Sequence, residues 1–151
     1  MKQRGFILNN NFRWFLYAVF LLLEGSGIFW IILRYFYAKK GEFGIEYSSA
    51  QPLVLSIHGA LAMISLVVIG AIIPTHAYLA WKAKKNVTSG YGLSAILVFL
   101  IISGYLLYYV GNAEVREWTS LLHWVVGIIL VPIISLHIYL GRRINVKSIL
   151  I

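Results

Sequence analysis

Cysteine is absent from the 151 residues. That excludes disulfides, iron–sulfur clusters, thiolate catalysis and covalent c-type haem attachment together, so any redox group is held by histidine, by methionine or without covalent links. Charge is also scarce: charged residues make up 12% of the chain and hydrophobic ones 60%. A soluble domain of this length has too little polar side chain to cover so much apolar surface, so lipid is expected to be part of its solvent. Acidic residues are the rarer sign, 5 Asp+Glu against 13 Lys+Arg, for a formal charge of +8. The basic residues lie in short patches between apolar runs, the pattern of membrane loops and not of one basic face, so nucleic acid is not an expected partner. No hydrolytic, phosphoryl-transfer or nucleotide motif is present, and no repeat, low-complexity tract or second domain is expected. The length suits a single transmembrane domain over 1–151.

What is abundant is apolar sequence in four runs, about 12–37, 52–81, 91–110 and 118–140. Each reaches the roughly 20 residues that span hydrocarbon at about 1.5 Å per residue. The second is long enough to require a tilt, a kink or a protruding end. Ser48 and Ser49 are expected to cap that helix, with Pro52 in its first turn, and Thr88 and Ser89 to cap the third. Trp14, Trp30, Trp81 and Trp118 fall near run ends, where indole favours the headgroup layer. The basic start followed by an apolar run resembles a signal peptide, but no Ala-x-Ala-type site closes it, and a retained helix is expected. The fold class expected is therefore all-α: an integral membrane four-helix up-down bundle with short connectors.

Basic residues set the orientation. Lys2, Arg4, Arg13, Lys82, Lys84, Lys85, Arg142, Arg143 and Lys147 fall on one side, and Arg34, Lys39, Lys40 and Arg116 on the other. This asymmetry predicts both termini in the cytoplasm and makes the second and fourth helices parallel. The Asn86-Val87-Thr88 glycosylation sequon then faces the cytoplasm and is accidental. The expected location is multi-pass in a bacterial cytoplasmic membrane.

Only four histidines occur, His58 and His76 in the second run and His123 and His137 in the fourth. Their spacings along the chain are 18 and 14. At about 100° per residue, 18 steps return to the same azimuth and 14 miss it by about 40°. Each helix thus offers two imidazoles on one face, about 27 Å and 21 Å apart, one toward each membrane surface. On parallel helices His58 comes level with His123 near the outer face and His76 with His137 near the inner face. Each pair suits the two axial positions of a haem iron, predicting two bis-histidine haem b groups. The mismatch of about 6 Å between the spacings calls for tilt, or for a bend at Pro74 or Pro132. Isolated membrane histidines often hydrogen-bond across a bundle instead, but polar side chains at this depth are expensive and tend to be functional. Zinc is the rival metal, and no third or fourth ligand stands near either pair.

With Ser56-Ile57-His58-Gly59 and Thr75-His76 on helix two, and His123-Trp124 with Ser135-Leu136-His137 on helix four, the chain resembles the four-helix di-haem core of cytochrome b from quinol-oxidising bc complexes. It is also similar to small stand-alone bacterial di-haem membrane cytochromes b. The likeness covers helices two to four and reaches helix one only by hydropathy. It departs in the wider histidine spacing of helix two. The resemblance implies transmembrane electron transport, as in a respiratory chain, between a quinone or redox protein subunit on one face and an acceptor on the other.

Around the histidines, Gly90 and Gly104 on the third helix repeat the spacing of helix four, and Gly25 and Gly27 interrupt the first; small residues let a flat macrocycle approach backbone, although they also serve plain helix packing. Gly127 and Gly141 follow a histidine by four, one turn on along the same face. Arg34 and Arg116 outside, and Lys82, Arg142 and Arg143 inside, are candidate partners for haem propionates, or simply topology signals. Glu24 stands in an otherwise apolar run, suited to proton movement or to a local hydrogen bond. Membrane lipid is an expected partner, and homo- or hetero-oligomers are both compatible with the chain. Two other functions fit the same sequence: a self-contained quinone-coupled oxidoreductase acting on a small periplasmic substrate such as superoxide or ferric iron, and a haem-free membrane scaffold or transport subunit.

Overall fold

A computed structural model of the chain describes residues 8–42 and 44–147, the last four by backbone alone. Lys2 and Arg4 lie outside the described residues, as does the side chain of Lys147. Four helical stretches are long and apolar enough to cross a membrane: Asn10–Phe36, Gln51–Lys82, Val87–Tyr109 and Ala113–Arg143. Large apolar side chains along them point outward, with Leu21 75%, Val67 74% and Met63 67% exposed. Backbone groups satisfied within helices, beneath so apolar a surface, are what hydrocarbon requires of a spanning segment. The protein is therefore a multi-pass helical membrane protein, with one short β-hairpin among the described residues.

The chain falls into two compact units, Met1–His76 and Ala77–Ile151. In the first, α1 (Asn10–Phe36) starts at Asn9, whose side chain accepts from the Asn11 N–H. After α1 the strands β1 (Lys39–Gly41) and β2 (Gly44–Glu46) pair antiparallel, with Lys39 opposite Glu46. Gly44 takes a φ of 129°, which a side chain would resist, to complete the tight reversal. The Arg34 guanidinium lies 4.3 Å from the centre of the Tyr47 ring, tying the end of α1 to the segment ahead of α2.

Helix α2 (Gln51–Ile72) packs along α1. Pro52 sits in its first turn as expected, but the helix begins after Ala50 without a side-chain cap. Ser48 acts one step earlier: its Oγ accepts from the Ala50 N–H at 3.3 Å and its carbonyl from the Gln51 N–H at 3.0 Å.

The helix then widens into a π-helical turn, Ile73–Ala77, before α3 (Tyr78–Lys82). Pro74 lies within this turn. Its ring removes one backbone donor and crowds the carbonyl four residues back, and i→i+5 bonding accommodates both effects. Pro132, by contrast, lies inside a helix that stays α-helical throughout.

In the second unit, Lys84 and Asn86 adopt left-handed backbone, with φ of 51° and 53°, in the turn before α4 (Val87–Tyr109). Helix α4 begins earlier than hydropathy indicates, so Thr88 and Ser89 lie inside its first turn and neither is its N-cap. Asn112 Oδ1 accepts from the Val115 N–H at 3.0 Å and so caps α5 (Ala113–Lys147), which packs along α4.

Candidate functional site

Three of the four histidines are held in the same way. In each case the ring Nδ1 meets a serine hydroxyl on the neighbouring helix, and the ring edge meets the glycine that follows that serine.

His58 on α2 faces α1. Its Nδ1 lies 3.0 Å from Ser26 Oγ and 3.1 Å from the Leu23 carbonyl oxygen. The Ser26 hydroxyl donates its own proton to that carbonyl at 2.8 Å. A carbonyl only accepts and a serine has one proton, so Nδ1 must carry the hydrogen. Nε2 is then left with a lone pair, the form in which imidazole binds a metal.

His123 and His137 on α5 face α4. His123 Nδ1 lies 2.8 Å from Ser103 Oγ, and that hydroxyl is also 2.8 Å from the Phe99 carbonyl oxygen. His137 Nδ1 lies 2.9 Å from Ser89 Oγ, and Ser89 donates to the Asn86 side-chain oxygen. Asn86 in turn donates from its amide to the His137 carbonyl at 3.0 Å. That amide is also 3.5 Å from His137 Nδ1. Nδ1 is the donor in His58, where a carbonyl faces it, and in His123 and His137 its partner is the serine hydroxyl.

These two seats also fix the direction of the helices. The step back along α4 from Ser103 to Ser89 equals the step forward along α5 from His123 to His137. The two helices therefore run antiparallel.

The glycines leave room for the rings. A Cβ built on Gly27 would stand 3.1 Å from His58 Cε1, and one on Gly104 would stand 3.3 Å from His123 Cε1. The Gly90 position is looser, at 4.0 Å from His137 Cε1. Gly25 and Gly127 face open space, and Gly141 approaches Asn86 instead of a ring.

His76 is half-buried and sits in the π-helical turn. A wider turn advances less angle per residue than an α-turn, so His76 does not return to the azimuth of His58 as ideal α-helical steps would bring it.

Of the basic residues, Arg34 is engaged by aromatic rings, Arg143 lies 4.7 Å from the centre of Tyr139, and Arg116 and Arg142 are exposed. Glu24 is half-buried, one residue past Leu23.

Of these serines only Ser89 carries a sequence reading, as a helix cap; Ser26 and Ser103 stand out by nothing in their immediate sequence but the glycine that follows. Two signals were present. The chain contains three Ser-Gly dipeptides, beginning at Ser26, Ser89 and Ser103, and all three seat a histidine. Some residues also recur between the two halves. Asn9, Leu16, Ala18, Leu23, Ser26 and Gly27 recur in the same relative positions as Asn86, Leu93, Ala95, Leu100, Ser103 and Gly104. His76, Tyr78 and Leu79 recur, at a shorter offset, as His137, Tyr139 and Leu140. The offset changes because the two halves differ in loop length and histidine spacing, so a fixed period does not reveal it.

Among the described residues no three His, Asp or Glu side chains converge as a metal-holding group, so a zinc site of three or four protein ligands has no counterpart. A haem asks for axial imidazoles and for small residues beside them, and each of the three seats supplies one imidazole held through Nδ1 with a glycine at its edge. No family model, curated protein sequence or solved structure matches the chain.

Proposed function

We propose that the protein is a di-haem b-type cytochrome that moves electrons across the cytoplasmic membrane, between a quinone or redox protein on one face and an acceptor on the other. His58 and His123 bind the outer haem, and His76 and His137 the inner one, in an up-down bundle with both termini cytoplasmic. The observation that carries the reading is the shared seat: Nδ1 of His58, His123 and His137 each meets a serine of the neighbouring helix, the kind of contact that orients a metal-binding imidazole. The recurring residues agree with the pairing: His137 matches His76 by the residues that follow it, and His123 matches His58 by its Ser-Gly partner. Equivalent residues of two similar halves meet where they lie beside a two-fold axis.

The iron of a bound haem supplies one-electron chemistry by cycling between ferric and ferrous forms. The chain supplies the rest. The four imidazoles bind and orient, Ser26, Ser103 and Ser89 hold three rings, and Gly27, Gly104 and Gly90 keep the ring edges clear. The apolar spans exclude water, which keeps the local dielectric low.

Single replacement of each histidine by alanine tests the assignment. His58→Ala and His123→Ala should remove the same haem, as judged by its absorption band and midpoint potential, and leave the other in place. His137→Ala should remove the second. Loss of different haems from His58→Ala and His123→Ala would contradict the pairing.

A further inference from the structure

Most hydroxyls in these spans bond only to their own helix. Ser56, Ser65 and Ser135 donate to carbonyls three or four residues back, at 2.7–2.9 Å, as membrane-helix serines commonly do. Ser26, Ser103 and Ser89 each have an acceptor for their proton on their own segment too, and each also meets Nδ1 of a histidine on the next helix. A serine whose proton stays on its own segment meets the ring as an acceptor.

We propose that these three serines are positioning residues that lock the iron-facing tautomer and ring plane of His58, His123 and His137, and that hold the potentials of the haems down. The proposal rests on the haem reading and adds to it a function for residues that touch no iron. An acceptor on Nδ1–H makes Nε2 a stronger base, and a stronger base favours ferric over ferrous iron. Loss of the acceptor therefore raises the midpoint potential. About a tenfold change in that preference, the lower end of typical effects of residues that orient metal ligands, reads as about 59 mV for one electron.

The contacts differ enough to rank the effects. Ser103 holds His123 at 2.8 Å, and Ser103→Ala should give the full shift. His58 keeps the Leu23 carbonyl at 3.1 Å when Ser26 is lost, so Ser26→Ala should shift less. Both act on one haem under the proposed pairing, whereas Ser89→Ala acts on the other.

The test is a spectroscopic redox titration, with electron paramagnetic resonance of the ferric state, on intact detergent-purified wild type and on the Ser→Ala and Ser→Thr variants. The expected result is full haem content throughout and a positive shift of one band for both Ser103→Ala and Ser26→Ala. Ser89→Ala should shift the other band, and each threonine variant should restore the wild-type value and ferric signal. Unchanged potentials and signals in all three alanine variants overturn the proposal while leaving the haem reading intact. Threonine variants that behave like alanine also overturn it, since bulk and not the hydroxyl would then matter. Wild-type protein without b-type bands overturns the underlying reading itself, an outcome visible before any variant is compared.

Discussion

Helices α4 and α5 carry two copies of one arrangement: the serines on one helix and the histidines on the other have the same spacing, in unbroken α-helix. Helices α1 and α2 carry one such copy, Ser26-Gly27 with His58, and then depart. Their second histidine, His76, comes one turn later than that spacing would place it, inside a π-helical turn built around Pro74. At the positions of α1 that correspond to Ser89 and Gly90 in the repeat stand Phe12 and Arg13. The second unit thus keeps a regular ladder, whereas the first has one regular rung and one altered one. Where two helices share a register, a ligand pattern repeats without local adjustment. Just past α2, Pro74 removes a backbone donor and crowds the preceding turn, and the backbone answers with wider hydrogen bonding.

Four changes would sharpen or break this contrast. The largest effect belongs to the ligands: His123→Ala and His137→Ala on the regular ladder should each lower the haem content from about two to about one per chain, measured by pyridine haemochrome against protein concentration. Smaller but still clear are the glycine seats. A methyl group at 3.1–3.3 Å from a ring must push it, so Gly27→Ala and Gly104→Ala should lower stability by about 1–3 kcal/mol and broaden the ferric signal of the haem proposed for His58 and His123. Gly90→Ala, with 4.0 Å available, should do neither. Equal damage at all three positions would contradict the ranking. Next, Pro74→Ala restores a backbone donor and relaxes the demand for a wide turn. It should alter the spectrum of the haem proposed for His76 and His137 and leave that of His58 and His123 unchanged. The smallest effect is Arg34→Gln, which removes the cation from the Tyr47 ring and should cost about 0.5–1 kcal/mol in thermal unfolding, without altering either haem.

Much of the fold was legible because hydropathy reports the solvent of each segment. The run at about 12–37 is the helix Asn10–Phe36, and the run at about 52–81 is the helical stretch Gln51–Lys82. The run at about 118–140 fell short of Ala113–Lys147 because Glu114, Arg116 and Glu117 at one end, and Arg142 and Arg143 at the other, continue the helix beyond the apolar stretch. Hydropathy marks where lipid ends, which is not where backbone hydrogen bonding ends. The hairpin of β1 and β2 left no mark, since such short strands carry too little pattern. Pro74 announced an interruption but not its form, because the choice between a kink and a π-turn is made by the carbonyls around it. At the candidate site the histidines and Gly104 could be picked out by residue type and spacing. The serines could not, because a membrane serine bonding its own helix looks the same in sequence as one that also holds a ring, and only the approach of the neighbouring helix separates the two.

The central claim is that this chain holds two haems on four histidines, and haem stoichiometry tests it most directly. Purified, membrane-extracted protein assayed as the pyridine haemochrome should give the b-type spectrum at two haems per chain, all of it extractable because no cysteine is present to hold it covalently. A preparation that is folded and helical yet carries no haem, or one haem that survives every single histidine substitution, would contradict the account.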